Sequence, residues 1–157
     1  MNEVKVVYGL VKNENDEILA VHNIKHDTWS LPGGSVEINE TLREAVIREF
    51  YEETGFDVEV KNIVAINEGK ILNHNNHALF ITFYCKITGG NINNNSPKEI
   101  SKIKWIKSNE IDNYITYYQS PIKDLFNYNA EYFYEGVNSK YNFSTINKQE
   151  SNLKIML

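Results

Sequence analysis

The sequence predicts a single α/β domain, of the α+β kind, built around a mixed sheet. Its length of 157 residues suits one domain with its own core and is too short for two ordinary domains. Several runs rich in β-branched and aromatic residues alternate with polar or glycine-containing loops. One amphipathic helical segment lies among them. The domain is predicted to take in residues 1–157, and the polar, Asn-rich residues 138–157 are expected to be flexible.

The order of the predicted elements follows from where the turn-forming residues fall. The helix is predicted at residues 41–54, because Gly55 can adopt the left-handed conformation that ends a helix. Ser108 is expected to cap a second helix, and Pro121 to begin a third. The predicted strands are residues 4–11, 17–22, 58–67, 77–87 and 103–106.

Composition and charge exclude several classes of protein. No run approaches the roughly 20 apolar residues of a membrane-spanning helix, and the N-terminus does not resemble a signal peptide. We therefore expect a cytoplasmic protein with no membrane partner. The net charge is −5 without a basic run, so duplex nucleic acid is not an expected partner. A small polyanion remains compatible, since a divalent metal can supply positive charge locally. The sequence does not predict an oligomeric state.

The helix at 41–54 gathers its charged residues on one side. At about 100° per residue, Arg48 and three glutamates fall within an arc of roughly 140°. The neighbouring arc is apolar and is expected to face the core. The three glutamates are Glu49, Glu52 and Glu53, and the apolar residues are Val46, Ile47 and Phe50.

This acidic face predicts a site for a divalent cation. Glu49 and Glu53 are four residues apart, which places like charges side by side at a cost of some tenths of a kcal/mol. Mg²⁺ prefers oxygen ligands and is often held by one or two carboxylates together with substrate phosphates. An acidic face that is merely solvated is the alternative, and it is the more common case for any one of these carboxylates alone.

The spacing of the whole segment resembles the signature box of the Nudix hydrolases. Gly34 is followed after five residues by Glu40, and after seven more by the run from Arg48 to Gly55. The preceding loop at 29–34 also resembles that family, as does Glu37. Phe50 departs slightly, since the family usually has Leu, Ile or Val there. The resemblance is specific over residues 29–56 and loose elsewhere.

The resemblance implies an α/β/α sandwich with a mixed sheet and assigns a role to each matching residue. Mg²⁺ is the expected cofactor, with Mn²⁺ as an alternative. The arginine at position 48 would orient the glutamates, and Glu40 would support the loop. Gly34 and Gly55 complete the box. The implied metal ligands are Glu49, Glu52, Glu53 and the backbone carbonyl of Gly33.

The implied reaction is attack by metal-bound water on a nucleoside diphosphate linked to another group. The residues expected to take part in catalysis are Glu53, Glu52 and Arg48, together with Glu99 as a more distant candidate for the general base. A solvated loop carboxylate is an equally favoured interpretation of Glu99. The small size resembles MutT-like enzymes, which favours a nucleoside triphosphate, including an oxidised purine nucleotide, cleaved to monophosphate and pyrophosphate. ADP-ribose, a nucleotide sugar or the 5′ end of RNA remain alternative substrates, and a non-catalytic nucleotide sensor or a purely structural role are alternative functions.

Residues that bind the rest of the substrate are not predicted. Lys25, His26 and His22 lie near the box and are weak candidates for phosphate contacts. His74 and His77 have a spacing of three residues but lack companion ligands, so a zinc site is disfavoured.

Overall fold

Two sheets and one α-helix form the framework of the protein. The computed structural model describes residues 1–137. One sheet has four strands in the order β4-β1-β6-β5, and the other has three in the order β3-β2-β7. The strands are β1 (Asn2–Leu10), β2 (Glu17–Asn23), β3 (Thr28–Ser30), β4 (Gly33–Ser35), β5 (Phe56–Ile71), β6 (Asn76–Gly90) and β7 (Ile100–Lys107).

The four-stranded sheet is mixed. β1 pairs with β6 in parallel, whereas β4 pairs antiparallel with β1 and β5 pairs antiparallel with β6. All pairs in the three-stranded sheet are antiparallel. The α+β fold class with a mixed sheet is confirmed.

The helix α1 (Leu42–Thr54) begins one residue after the predicted start at 41 and ends at the predicted residue. Thr41 and Glu44 form a capping box, in which each side chain accepts a hydrogen bond from the backbone N–H of the other. Gly55 follows the helix with φ 81°, and its N–H donates to the carbonyl of Tyr51. These contacts satisfy backbone groups that a helix otherwise leaves unpaired at its termini.

Packing fixes the rotation of α1 about its axis. Val46 and Phe50 are buried in the core, as predicted. Ile47 is 37% exposed, so the prediction that it faces the core is wrong: it lies at the margin of the buried stripe. The Phe50 ring lies so close to Gly9 that a Cβ at Gly9 would be 2.8 Å from it. The acidic face is therefore held in one direction by the apolar face.

Two hydrophobic clusters stabilise the sheets. The first packs α1 against β1 and β6 around Phe50, Phe83 and Val46. The second lies under the C-terminal part of the domain and includes Ile111 and Leu125. Burial of these apolar side chains supplies most of the driving force for folding.

The region after β7 differs from the prediction. The helix expected after Ser108 is wrong: residues Ile111–Asn113 form only a short 3₁₀ turn. The helical segment expected from Pro121 is also a 3₁₀ helix, Ile122–Asn127. Within residues 1–137, no helix has the length and hydrophobicity needed to span a membrane. The predicted flexible tail, residues 138–157, lies outside the described residues.

Candidate active site

A glycine on β4 ties the loop before α1 to the end of that helix. The register of β4 and β1 places Gly33 beside Tyr8. A Cβ atom at Gly33 would collide with the carbonyl oxygen of Val7, so no larger residue fits there without a backbone shift. The N–H of Gly33 donates a hydrogen bond of 2.9 Å to Oε1 of Glu53.

The next glycine leaves room for a second carboxylate. A Cβ built on Gly34 would lie 2.5 Å from Oε1 of Glu49. The Glu49 carboxylate therefore fills the space that a side chain at position 34 would need. Gly33 and Gly34 together bring the loop backbone against two of the three glutamates of the acidic face.

Arg48 connects the loop to the acidic face. Its Nε and Nη2 atoms donate to the two carboxylate oxygens of Glu40 at 2.6 and 2.8 Å. Its Nη1 atom donates to Glu49 at 2.9 Å and to Glu52 at 3.3 Å. A further bond from Nη2 reaches the carbonyl of Ser35 at 3.1 Å. The two-pronged bond from Arg48 holds the pKa of Glu40 below its ordinary value.

Glu53 is the most buried of the three glutamates. Glu53 is only 4% exposed. Burial raises the pKa of Glu53 from 4.5 to about 8, and the negative charges of Glu49, Glu99 and Glu52 add to the effect. The hydrogen bond from Gly33 opposes it. A positive charge at this position would favour the ionised form of Glu53.

Glu99 lies close enough to the acidic face to affect it electrostatically. Its charge raises the pKa values of both Glu49 and Glu53, although burial is the larger cause in each case. The loop that precedes Glu99 docks on the end of α1, where the N–H of Asn95 donates to the carbonyl of Glu52 at 3.0 Å. The fold thus brings a residue 46 positions after Glu53 toward the same face.

The acidic face fits a hard divalent cation in its donor chemistry but not in its side-chain arrangement. Within residues 1–137, no three His, Cys, Asp or Glu side chains converge closely enough to hold a metal ion as they stand. Arg48 binds Glu49 and Glu52, while Glu53 turns toward Gly33. The available donors are carboxylate and carbonyl oxygens, which Mg²⁺ prefers. A cation would also offset the burial of two carboxylates whose pKa values are raised.

A cavity of about 500 Å³ opens beside the two glycines. Four aromatic side chains and several polar ones line it. The ring of Trp29 meets that of Tyr114 edge-on at 5.5 Å between centroids. Tyr8 lies 5.7 Å from Tyr117, and burial raises the pKa of Tyr8 to about 12, so its hydroxyl stays protonated at neutral pH. The aromatic residues that line the cavity are Tyr8, Trp29, Tyr114 and Tyr117.

The sequence did not single out these aromatic residues as a group. Trp29 stands in the loop before the box, but Tyr114 and Tyr117 follow β7 and meet Trp29 only through the tertiary fold. Their spacing of three residues in a Tyr-rich run is the one local signal that could have drawn attention to them.

The weaker candidates separate into different locations. His26 lines the cavity, whereas Lys25 is an exposed residue that does not. Both ring nitrogens of His22 are already engaged, by Ser101 and Asp27. The two ring nitrogens of His77 bind the carboxylates of Glu3 and Glu68.

Comparison with known proteins assigns the chain to a family. A family model described as the NUDIX domain matches residues 3–126. The chain belongs to the NUDIX domain family. A MutT-like protein of Streptomyces ambofaciens is 33% identical over 105 residues, which cover 67% of this chain and 64% of the relative. An ADP-ribose pyrophosphatase of Methanocaldococcus jannaschii is 33% identical over 88 residues, which cover 55% of this chain and 52% of the relative.

Solved structures resemble this NUDIX domain in fold. A NUDIX hydrolase from Nitrosomonas europaea superimposes with a TM-score of 0.70 at 19% identity, covering 87% of this chain and all of the other. The chain spans less than two thirds of the length of the two sequence relatives, at 64% and 52%.

Proposed function

We propose that this NUDIX domain is a metal-dependent hydrolase that cleaves a diphosphate linkage in a nucleotide. The observation that carries the proposal is the position of the acidic face. Gly33 and Gly34 contact Glu53 and Glu49 on one side and line an aromatic cavity on the other. This arrangement places a candidate metal site next to a space that can hold a planar ring.

Four groups would hold the divalent cation. They are the carboxylates of Glu49, Glu52 and Glu53 and the backbone carbonyl of Gly33. A bound Mg²⁺ or Mn²⁺ ion would neutralise phosphate charge and lower the pKa of a coordinated water. Because Arg48 binds Glu49 and Glu52, it acts as a positioning residue for these ligands, and Glu40 fixes Arg48 in turn.

Two glutamates are candidates for the general base. Glu53 already has a pKa raised to about 8 in the absence of metal, which suits proton transfer near neutral pH. Glu99 carries its charge near the same face from a different loop. We favour Glu53 as a ligand and Glu99 as the base, since a metal-bound carboxylate accepts a proton less readily than an unbound one.

The favoured substrate is a nucleoside triphosphate, including one with an oxidised purine base, cleaved to the monophosphate and pyrophosphate. Similarity to the MutT-like protein supports this choice. Similarity to the ADP-ribose pyrophosphatase supports the alternative of a nucleoside diphosphate linked to a sugar. Both substrates place a diphosphate beside a nucleoside, and the cavity of about 500 Å³ beside Gly33 and Gly34 is the proposed site for that common part.

A hydrolysis screen tests the proposal. The panel contains nucleoside triphosphates with ordinary and oxidised bases, ADP-ribose, nucleotide sugars, dinucleoside polyphosphates and 5′-triphosphate RNA, each with Mg²⁺ and with Mn²⁺. We expect metal-dependent release of monophosphate and pyrophosphate from a triphosphate, and loss of that activity in Glu53→Gln. Turnover of another substrate would keep the chemistry and replace the substrate. No turnover, with nucleotide binding intact, would overturn the proposal in favour of a sensor.

A further inference from the structure

The cavity beside the glycines extends along β3 toward a short turn. Gly33 follows the end of β3, and residues 24–27 precede its start. Three residues of strand span on the order of 10 Å, which is comparable with the length of a nucleoside monophosphate. Thus, if phosphates lie near Gly33 as in the proposed function, a base that extends along β3 reaches this turn.

Ring contacts connect the aromatic side chains at this end of the cavity. The Trp29 ring makes edge-to-face contacts with Tyr114 and with the imidazole of His22, at 5.5 and 5.4 Å between ring centroids. The ammonium of Lys104 lies 5.3 Å from the centre of the Tyr114 ring. Aromatic side chains fixed in this way are suitable stacking platforms for a nucleobase.

A chain of hydrogen bonds places a carboxylate at the same end. Nε2 of His22 lies 2.7 Å from Oδ1 of Asp27, and Nδ1 lies 2.6 Å from Oγ of Ser101. An ionised carboxylate only accepts hydrogen bonds, so Nε2 of His22 carries the proton. When His22 is neutral, Nδ1 therefore accepts a hydrogen bond from the Ser101 hydroxyl.

A β-bulge makes this chain of contacts possible. His22 pairs with Lys102 on β7, but the next residue, Asn23, pairs with Ile100. Ser101 is therefore the extra residue between two pairs, and a bulge of this kind re-aims its side chain. Here the Ser101 hydroxyl contacts Nδ1 of His22, and Nε2 of His22 bonds to Asp27 in the turn.

Asp27 keeps hydrogen-bonding capacity for a ligand. Within residues 1–137, its Oδ2 atom has no hydrogen-bond partner, and Oδ1 accepts only from His22. The residue lines the cavity and has φ 49°, a conformation in which Asn and Asp are enriched. The Asp27 side chain is 92% exposed and, in the described part of the chain, bonds only to the imidazole of His22, so its carboxylate can accept N–H groups from the edge of a ring stacked in the cavity.

We propose that Asp27, positioned by His22 and Ser101, selects the base of the nucleotide by accepting N–H groups from its edge. The inference rests on the proposed function, which makes the ligand a nucleotide. A carboxylate accepts two parallel N–H bonds, and guanine presents two adjacent N–H groups at N1 and N2. Uracil and thymine present one N–H between two carbonyl oxygens, which a carboxylate repels. Asp27 thus favours guanine-type bases and disfavours uracil and thymine.

The first test compares substrates in matched variants. The ratio of kcat/KM for GTP to that for UTP is measured in the parent, in Asp27→Asn and in Asp57→Asn, an exposed carboxylate that does not line the cavity. We expect the parent to favour GTP by about tenfold or more and Asp27→Asn to lose most of this preference. Asn tolerates the positive φ at position 27, so the turn is retained. An unchanged ratio in Asp27→Asn would overturn the proposal.

The second test measures binding without hydrolysis. The chain has two tryptophans, so Trp105→Phe leaves Trp29 as the single tryptophan, whose emission is excited selectively over that of the tyrosines. Titration of this variant with guanosine and uridine 5′-monophosphates, without added metal, reports stacking on Trp29. We expect tighter binding of the guanosine nucleotide, reduced by Asp27→Asn. Base-dependent quenching without turnover of any triphosphate would support the role of Asp27 and overturn the hydrolase proposal. Turnover with equal binding of both nucleotides would support the hydrolase proposal and overturn the role of Asp27.

The positioning role of Ser101 and His22 has its own control. Ser101→Ala removes the hydroxyl that bonds to His22, while Ser101→Thr retains one. We expect the alanine variant to lower the guanosine preference and the threonine variant to restore it, with similar thermal stability in both. Equal preferences in the two variants would exclude the contribution of Ser101.

Discussion

The backbone N–H of Gly33 donates a 2.9 Å hydrogen bond to the carboxylate of Glu53, twenty residues later in the chain. This bond joins the loop before α1 to the last turn of that helix. The bond lowers the pKa of the buried Glu53 carboxyl, but burial raises this pKa by more, to about 8. The ionised form of Glu53 therefore destabilises the metal-free fold, and a bound cation would favour that form.

Replacing Glu53 should separate stability from activity. The folded-state pKa of about 8 exceeds the ordinary value of 4.5. The unfolded chain thus releases this proton first, and the free energy of unfolding falls by up to about 1.4 kcal/mol per pH unit between these values. Glu53→Gln cannot ionise. We expect this variant, without metal, to be more thermostable than the parent above about pH 5, with the difference largest from pH 8 upward.

Activity should change in the opposite direction. Loss of a charged metal ligand should lower turnover by more than about 100-fold and remove most of the stabilisation that Mg²⁺ gives to the parent. Glu52→Gln also removes a proposed ligand and is the matched control for stability alone, because the Glu52 side chain is 43% exposed and its replacement should change the free energy of unfolding less. A Glu53→Gln protein that is no more stable than the parent at pH 8.5 would show that burial of this charge is not costly.

Substitution of Arg48 tests whether a positioning residue is needed. Lysine keeps the positive charge but cannot form the two-pronged bond to Glu40 while also reaching Glu49. We expect Arg48→Lys to lower kcat/KM by about 10- to 100-fold and to raise the metal concentration needed for half-maximal rate.

The other arginine of the chain supplies the control. Arg43 lies on the same helix, 5.4 Å from the ring centre of Tyr132; among the described residues, the ion pairs of the acidic residues of the box are all with Arg48. Arg43→Lys should keep nearly the parent rate and metal requirement. If both variants lose activity equally, the effect arises from helix stability and not from orientation of the carboxylates.

A methyl group at position 34 should displace Glu49. In Gly34→Ala the new Cβ would stand 2.5 Å from the Glu49 carboxylate, so that side chain must move. The backbone at Gly34 does not have a positive φ, and the fold should survive. We expect weaker Mg²⁺ binding by titration calorimetry. Gly89→Ala is the control, since its Cβ would meet only ordinary contacts, the nearest at 3.6 Å; equal metal binding in the two variants would contradict the role of Gly34.

The parts of this domain that the sequence predicted are those that depend on residues close together in the chain. The helical repeat sufficed to place Arg48 and the three glutamates on one face, and Thr41 and Gly55 marked the ends of α1. The helix expected after Ser108 failed because Ile111 and Ile115 are buried in the second cluster, and the side chain of Asp112 accepts a bond from the N–H of Ile122. These tertiary contacts favour a compact turn over a regular helix.

The cavity could not be read from the sequence because it is assembled from distant segments. Trp29 and Tyr114 are brought together by the pairing of β2 with both β3 and β7. Ser101 reaches His22 only because the register shifts by one residue at that point. A shift of this kind depends on strand pairing across the sheet, which no local pattern specifies.

The pH dependence of stability should also report on His77, a residue of β6 that bonds to side chains on β1 and β5. Its ring binds Glu68 at 2.7 Å and Glu3 at 3.2 Å, and these bonds raise the pKa of His77 above 6.5. The protonated form is thus favoured in the folded state. Its contribution to stability should be complete below pH 6.5 and disappear as the pH rises through the folded-state pKa. We expect His77→Gln to lower the midpoint of thermal unfolding at pH 6 and to change it little at pH 9, in a profile that Glu53→Gln does not share. A difference from the parent that is equal at both pH values would mean that packing of the ring, and not its charge, stabilises this end of the sheet.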